Sequence, residues 1–138
     1  LKAVLGLPGD RSNELICEAA QKAAHSFDQV IFRDDHDRRG RNLGEVPLLA
    51  MQAANQAQTG AELSVVLQCE DAITHAIETM QDGDITVVFY DELDRALEVI
   101  RRYDPHPIVG LPGFAVDDQT RTKEEPGYAI PNTFSLST

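Results

Sequence analysis

The chain has 138 residues, 42% hydrophobic and 25% charged, a balance that fits one globular domain with a single core and needs no second. A formal net charge of -11 argues against a general affinity for nucleic acid or an anionic membrane, because phosphate binding relies on a basic surface. Cys17 and Cys69 lie far apart without CxxC spacing, so no zinc ribbon or redox motif is expected and both read as reduced core thiols.

Leu1 to Leu7 (LKAVLGL) is an apolar run closed by Pro8-Gly9, which reads as a buried strand ending in a turn. From Asn13 to Phe27, Leu15, Ala19, Ala23 and Phe27 recur at every fourth position, with Ile16, Ala20 and Ala24 alongside, and predict a helix. Asp10 or Ser12 can cap it, and Glu14 suits the positive end of its dipole. Gln29 to Arg33 is a second strand. Val46, Leu49, Ala50, Ala53, Ala54 and Ala57 make a second helical face that tolerates Pro47 in its first turn and stops at Gly60. The pattern repeats with strand Glu62 to Leu67 and helix Asp71 to Met80. A last unit pairs strand Ile85 to Tyr90 with helix Glu92 to Tyr103.

Four strand-helix units in succession indicate an α/β fold: a Rossmann-like, mostly parallel sheet flanked by helices on both faces. That domain ends at about Asp104. Residues 105–138 are rich in Pro, Gly and Thr and read as an irregular tail, with Pro107 to Val109 as an extra edge strand. No signal peptide or apolar run of spanning length occurs, so a soluble cytoplasmic protein is expected, with room for a homo-oligomer. The strand-like start at Leu1 suggests a piece of something longer.

In an open parallel sheet, ligands bind beyond the carboxyl ends of the strands. Polar residues gather on that side: Gly9-Asp10-Arg11-Ser12-Asn13 after the first strand, Gln68-Cys69-Glu70-Asp71 after the third, Asp91-Glu92 after the fourth. After the second comes RDDHDRRGRNLGE, residues 33–45, longer than the usual two to six residues of such a connection and therefore a candidate functional loop. The opposite turns are plain. The sequence has no G-x-x-x-x-G-K-[ST] phosphate loop and no dinucleotide fingerprint. A phosphoacceptor domain is disfavoured because Lys123 falls in the tail. Asp34, Asp35 and Asp37 with His36 could face Mg²⁺, but clustering alone does not make a hard-metal site, so no metal ligands are assigned. Ser12 has no base partner and no residue is assigned a catalytic role.

Gly9-Asp10-Arg11 followed by Arg38-Arg39-Gly40-Arg41-x-x-Gly44-Glu45 resembles the carboxyl-terminal domain of the Mur ligase superfamily, most nearly the form found at the end of cyanophycin synthetase, from about Leu5 to Tyr103. The resemblance implies an ATP-dependent amide ligase, in which a carboxylate is activated as an acyl phosphate and attacked by an amino group. In that family this domain closes over a central ATPase domain and holds the incoming amino acid. Here that would be arginine, joined to the aspartate side-chain carboxylate of a poly-aspartate polymer. ATP and Mg²⁺ would be bound mainly outside this chain, which should not ligate by itself. By the resemblance Arg11 matches the arginine that pairs with the amino acid's carboxylate, and Asp35 the aspartate of the family's amino-acid motif. His36 stands where the peptidoglycan ligases carry asparagine, so their diamino-acid preference does not transfer.

The residues themselves add that Arg11 can form a bidentate carboxylate pair, while Asp34, Asp35, Asp37 and Glu45 can meet a guanidinium. Arg38 and Arg41 can neutralise those acids or hold substrate. Asp10, His36, Glu70 and Asp91 are secondary candidates. Two other readings stay open: a non-catalytic small-molecule binding or interaction module on the same fold, and a Mur-type ligase domain for another amino acid.

Overall fold

Each of the four apolar runs forms a strand and each periodic run a helix. The computed structural model describes residues 1–107 and 134–135, which fall into two units divided between Val99 and Ile100. In the first unit β1 (Lys2–Gly6), α1 (Asn13–Ser26), β2 (Gln29–Arg33), α2 (Glu45–Gln56), β3 (Glu62–Val65), α3 (Cys69–Glu78) and β4 (Thr86–Val88) alternate, and α4 (Leu93–Arg101) begins there. The strands are all parallel, in the order β3-β2-β1-β4. The chain steps outward from β1 to β3, then crosses back to the far side of β1. Right-handed crossovers therefore put α1 and α2 on one face and α3 on the other.

Burial follows this winding. Ala3, Leu5, Val30 and Phe32 pack with Ile16, Ala20 and Ala23 of α1 and with Val46, Ala50 and Ala53 of α2. Val4 and Ile31 point the other way and are buried on the face that α3 contacts, as are Ala72, Ile73 and Ala76. Both faces of β1 and β2 are covered, which is why they read as continuous apolar runs rather than alternating ones.

Several details sharpen or change the sequence pattern. The buried edge of α1 runs through Ile16, Ala20, Ala23 and Ala24, with Leu15 49% exposed, because the small side chains face both the sheet and α2. Ser12 is the cap, its Oγ accepting from the Leu15 N–H at 3.3 Å, a contact worth about 1 kcal/mol; Asp10 pairs elsewhere. β4 is only Thr86–Val88 because it is an edge strand that β1 alone supports, at Lys2, Ala3 and Val4. Lys2, read as part of an apolar run, is buried. Its ammonium donates to Ala76 O at 3.2 Å and Thr79 Oγ1 at 2.9 Å, where a cation meets the negative end of α3.

In the second unit β5 (His106–Pro107) pairs antiparallel with β6 (Phe134–Ser135). Of the expected edge strand at Pro107 to Val109, only Pro107 is described, in β5; the rest of it and residues 110–133 of the tail lie outside the described residues. Among the described residues no helix is long and apolar enough to cross a membrane.

Candidate functional site

The carboxyl ends of the strands are organised by a residue that sequence reasoning did not select. Arg33 closes β2 and is 1% exposed. Its guanidinium donates to Asp34 O at 2.9 Å, Asp35 Oδ1 at 3.1 Å and Phe89 O at 2.6 Å, and lies 3.4 Å from Asp91 Oδ1. It thereby crosses from β2 over the end of β1 to the segment after β4. The crossing is open because Gly6, the β1 partner of Arg33 in the sheet register, has no side chain; a Cβ there would collide with Asp35 Oδ1 and stand 2.6 Å from Arg33 Nη1. The available signal was this alignment of a glycine beside a charged strand end.

Beyond Arg33 the next five residues face a cleft of about 400 Å³, within the roughly 300–1,000 Å³ of small-molecule sites. Asp34, Asp35, His36, Asp37 and Arg38 line one side, and Gln68, Cys69, Glu92 and Arg95 the other. His36 ties the loops together. Its backbone N–H donates to Asp91 Oδ2 at 2.7 Å, its Nδ1 lies 3.0 Å from Asp91 Oδ1, and its Nε2 lies 3.1 Å from Glu70 Oε1. Arg95 continues the network, at 3.6 Å from Glu70 and 2.7 Å from Glu92.

The carboxylates do not titrate alike. Burial raises Asp35 above the ordinary range, outweighing the attraction of Arg33. For Glu70, burial is outweighed by its own backbone N–H and by His36, so its pKa is lowered. Asp91 is also held low, with burial offset first by the His36 backbone N–H and then by Arg33. Burial pushes the Cys69 thiol up to about 11.

The rest of the loop is fastened to its surroundings. Buried Asp34 accepts the Gly44 N–H at 2.7 Å, and Gly44 precedes α2 at φ 78, a left-handed conformation that suits glycine. Glu45 Oε2 accepts the Asn42 N–H at 3.0 Å. Arg41 donates to Gly9 O at 2.9 Å, Asn13 Oδ1 at 2.8 Å and Arg11 O at 2.8 Å. Arg39 pairs with Asp10 at 3.2 Å. Asp35, His36, Glu70 and Asp91 are thus brought together around Arg33, with Asp34 at their edge. Arg41 and Glu45 hold the loop, and Asp10 holds Arg39. Arg38 is exposed and lines the cleft without a side-chain partner among the described residues. Arg11 is exposed beside Arg41, but its side chain is not among those lining the cleft.

A smaller cavity of about 290 Å³ lies at the opposite rim, lined by residues 24–28 and 59–61. Its lining comes from the end of α1 and the turns after α1 and α2. In the loop, one oxygen of Asp34 is taken by the Gly44 N–H and one of Asp35 by Arg33, which leaves fewer free oxygens for a hard cation. The sequence carries no phosphate loop, so the residues present do not make the usual cradle for ATP. Glu92, named from sequence only as part of the polar rim, and Arg95, not singled out, lie at the start of α4 and line the cleft; their (i, i+3) spacing was the visible signal.

The chain is 34% identical over 102 residues to a cyanophycin synthetase of Synechocystis sp., 30% identical over 102 residues to that of Crocosphaera subtropica, and 29% identical over 100 residues to that of Geminocystis herdmanii. These matches take in 74%, 74% and 72% of the chain but only 12%, 12% and 11% of the relatives' own length. No family model matches the chain. The chain is therefore similar to a domain-sized stretch of the cyanophycin synthetases, and its all-parallel sheet with helices on both faces is the architecture of a Mur-ligase C-terminal-type domain.

Proposed function

We propose that residues 1–104 are the substrate-binding and closing domain, and 105–138 an appended tail, of an ATP-dependent amide ligase of the cyanophycin synthetase kind. The parent enzyme activates an aspartate side-chain carboxylate of a poly-aspartate polymer as an acyl phosphate on a separate ATPase domain, where ATP and Mg²⁺ reside. This chain presents arginine to it. The α-amino nitrogen forms the new amide bond as the acyl–phosphate bond breaks, and phosphate departs.

The observation that carries this reading is an acidic cleft at the carboxyl ends of the strands, lined also by Arg38, a cation without a side-chain partner among the described residues. A guanidinium is satisfied by planar carboxylate pairs, and Asp35, Asp37 and Glu92 line the cleft. The α-carboxylate then falls to Arg38 or, on closure, to Arg11. Arg33, Arg41 and Glu45 hold the loop in shape and contribute through it.

The test uses the parent ligase with arginine as the varied substrate. Loss of one charge-assisted contact is expected to cost about 1.5 kcal/mol, or roughly tenfold. Asp37→Asn and Arg38→Ala should each raise the KM for arginine by about that factor and leave the KM for ATP unchanged. An unchanged arginine KM in both variants, or ligation by the 138-residue chain alone, overturns the proposal.

A further inference from the structure

We infer that His36, Cys69 and Asp91 form a binding site for a thiophilic divalent ion of the Zn²⁺ class, separate from any metal that ATP brings to a parent enzyme. One ring nitrogen of His36, Cys69 Sγ and a carboxylate oxygen of Asp91 all lie within 4.8 Å of one another. They come from three strand ends: the loop after β2, the first residue of α3 and the segment after β4. Tetrahedral zinc with bonds of roughly 2.0–2.3 Å separates its donor atoms by about 3.3–3.7 Å. The widest observed separation of 4.8 Å therefore needs a contraction of about 1.1–1.5 Å at most.

Two independent features point to a ligand. Glu70 Oε1 sits 3.1 Å from His36 Nε2. A carboxylate beside one ring nitrogen favours the proton there and leaves the lone pair of the other for a metal, the usual setting of a metal-bound histidine. That other nitrogen would be Nδ1, which faces Asp91 Oδ1 at 3.0 Å, a separation that a shared proton or a shared metal satisfies. In addition, Cys69 is 2% exposed, lines the cleft, and has no hydrogen bond to its thiol among the described residues.

One imidazole, one thiolate and one carboxylate suit zinc or cobalt and disfavour Mg²⁺ or Ca²⁺. On binding, the sulfur–metal bond forms as the thiol proton passes to solvent. The thiolate and Asp91 then balance the two charges of the ion. Arg33 gives up its 3.4 Å contact with Asp91 but keeps Asp35 and the carbonyls of Asp34 and Phe89. The fourth position opens on the cleft, where water completes the tetrahedron.

Titration of the chelator-treated 138-residue chain with Co²⁺ alone is the test. One equivalent should bind with a thiolate-to-cobalt charge-transfer absorption in the near ultraviolet, and Zn²⁺ should displace it. Cys69→Ser should abolish the band and Cys17→Ser should not. Asp91→Asn and Glu70→Gln should weaken Co²⁺ binding by about tenfold or more, with circular dichroism reporting that each variant is folded. Wild-type binding without the sulfur band, or a band that survives in Cys69→Ser, overturns the site and assigns the metal to Cys17 or to His25, His75 or His106. Should Cys69→Ser fail to fold, the wild-type chain decides: Zn²⁺ must slow thiol labelling of Cys69 and leave that of Cys17 unchanged.

Discussion

The two halves of the loop between β2 and α2 use the same residue types for opposite ends. From Arg39 to Glu45 the charges serve the fold: Arg41 reaches three acceptors on the first loop, Arg39 pairs with Asp10, and Glu45 closes a turn on Asn42. From Asp34 to Arg38 the side chains turn to the cleft, where acids surround His36 and Arg38 has no partner among the described residues. A connection this long would normally wander, since ordering each backbone residue costs about 1–2 kcal/mol. Stapling one half to a helix start and to a neighbouring loop is what lets the other half keep a shape. Arg33 stands before both halves and anchors the cleft-facing one from below.

That division can be broken most severely at Arg33. Arg33→Met leaves two carbonyls and the half-buried Asp35 without their donor, and removing one partner of a buried charge network is expected to cost about 3 kcal/mol in urea unfolding. A loss below about 1 kcal/mol would show that the anchor is dispensable. The joint between the halves comes next. Asp34→Ala exposes the Gly44 N–H without its acceptor, at about 2 kcal/mol, and should speed amide hydrogen exchange at the start of α2. Arg41→Ala should cost about 1 kcal/mol, because its acceptors lie where water can replace the lost donors. Its exchange signature should appear at Gly9 to Asn13 and not at His36. Equal effects at both places would erase the distinction between the halves.

The sheet was legible because β1 and β2 are buried on both faces, and hydrophobic runs separated by amphipathic ones leave little choice of architecture. The sequence also placed its longest charged loop after a strand end, and that loop lines the larger of the two clefts described. What the sequence concealed was the fate of individual charges. Arg33 and Lys2 look like solvated ends of strands, yet each is buried and crosses to a distant element, Phe89 O in one case and the end of α3 in the other. A one-dimensional pattern records that a charge is present, not which partner lies across the sheet. Arg41 and Arg38 sit three residues apart in one basic run, and only the geometry separates the clamp from the free cation.

The smallest effect is also the one that tests the acidic half by itself. Glu70 and Asp91 are held below their ordinary range in the fold, so the unfolded chain binds more protons than the folded one as these groups titrate. Their contribution to stability is complete above about pH 5 and is lost as pH falls through the lowered folded values. Asp35 is raised by burial and works the other way: its contribution is complete below its ordinary value, near pH 4, and disappears as pH rises through the raised one. Removing the imidazole takes away a favourable partner of Glu70 and Asp91, while Asp91 keeps the backbone N–H of residue 36 and Arg33. In chelator-containing buffer, urea midpoints followed from pH 7 to about 3 should therefore decline less steeply for His36→Ala than for the wild type. Asp35→Asn should decline more steeply, because the opposing group is gone. Parallel curves for all three would mean that these carboxylates gain nothing from His36 in the fold, and that the acidic half is held by Arg33 alone.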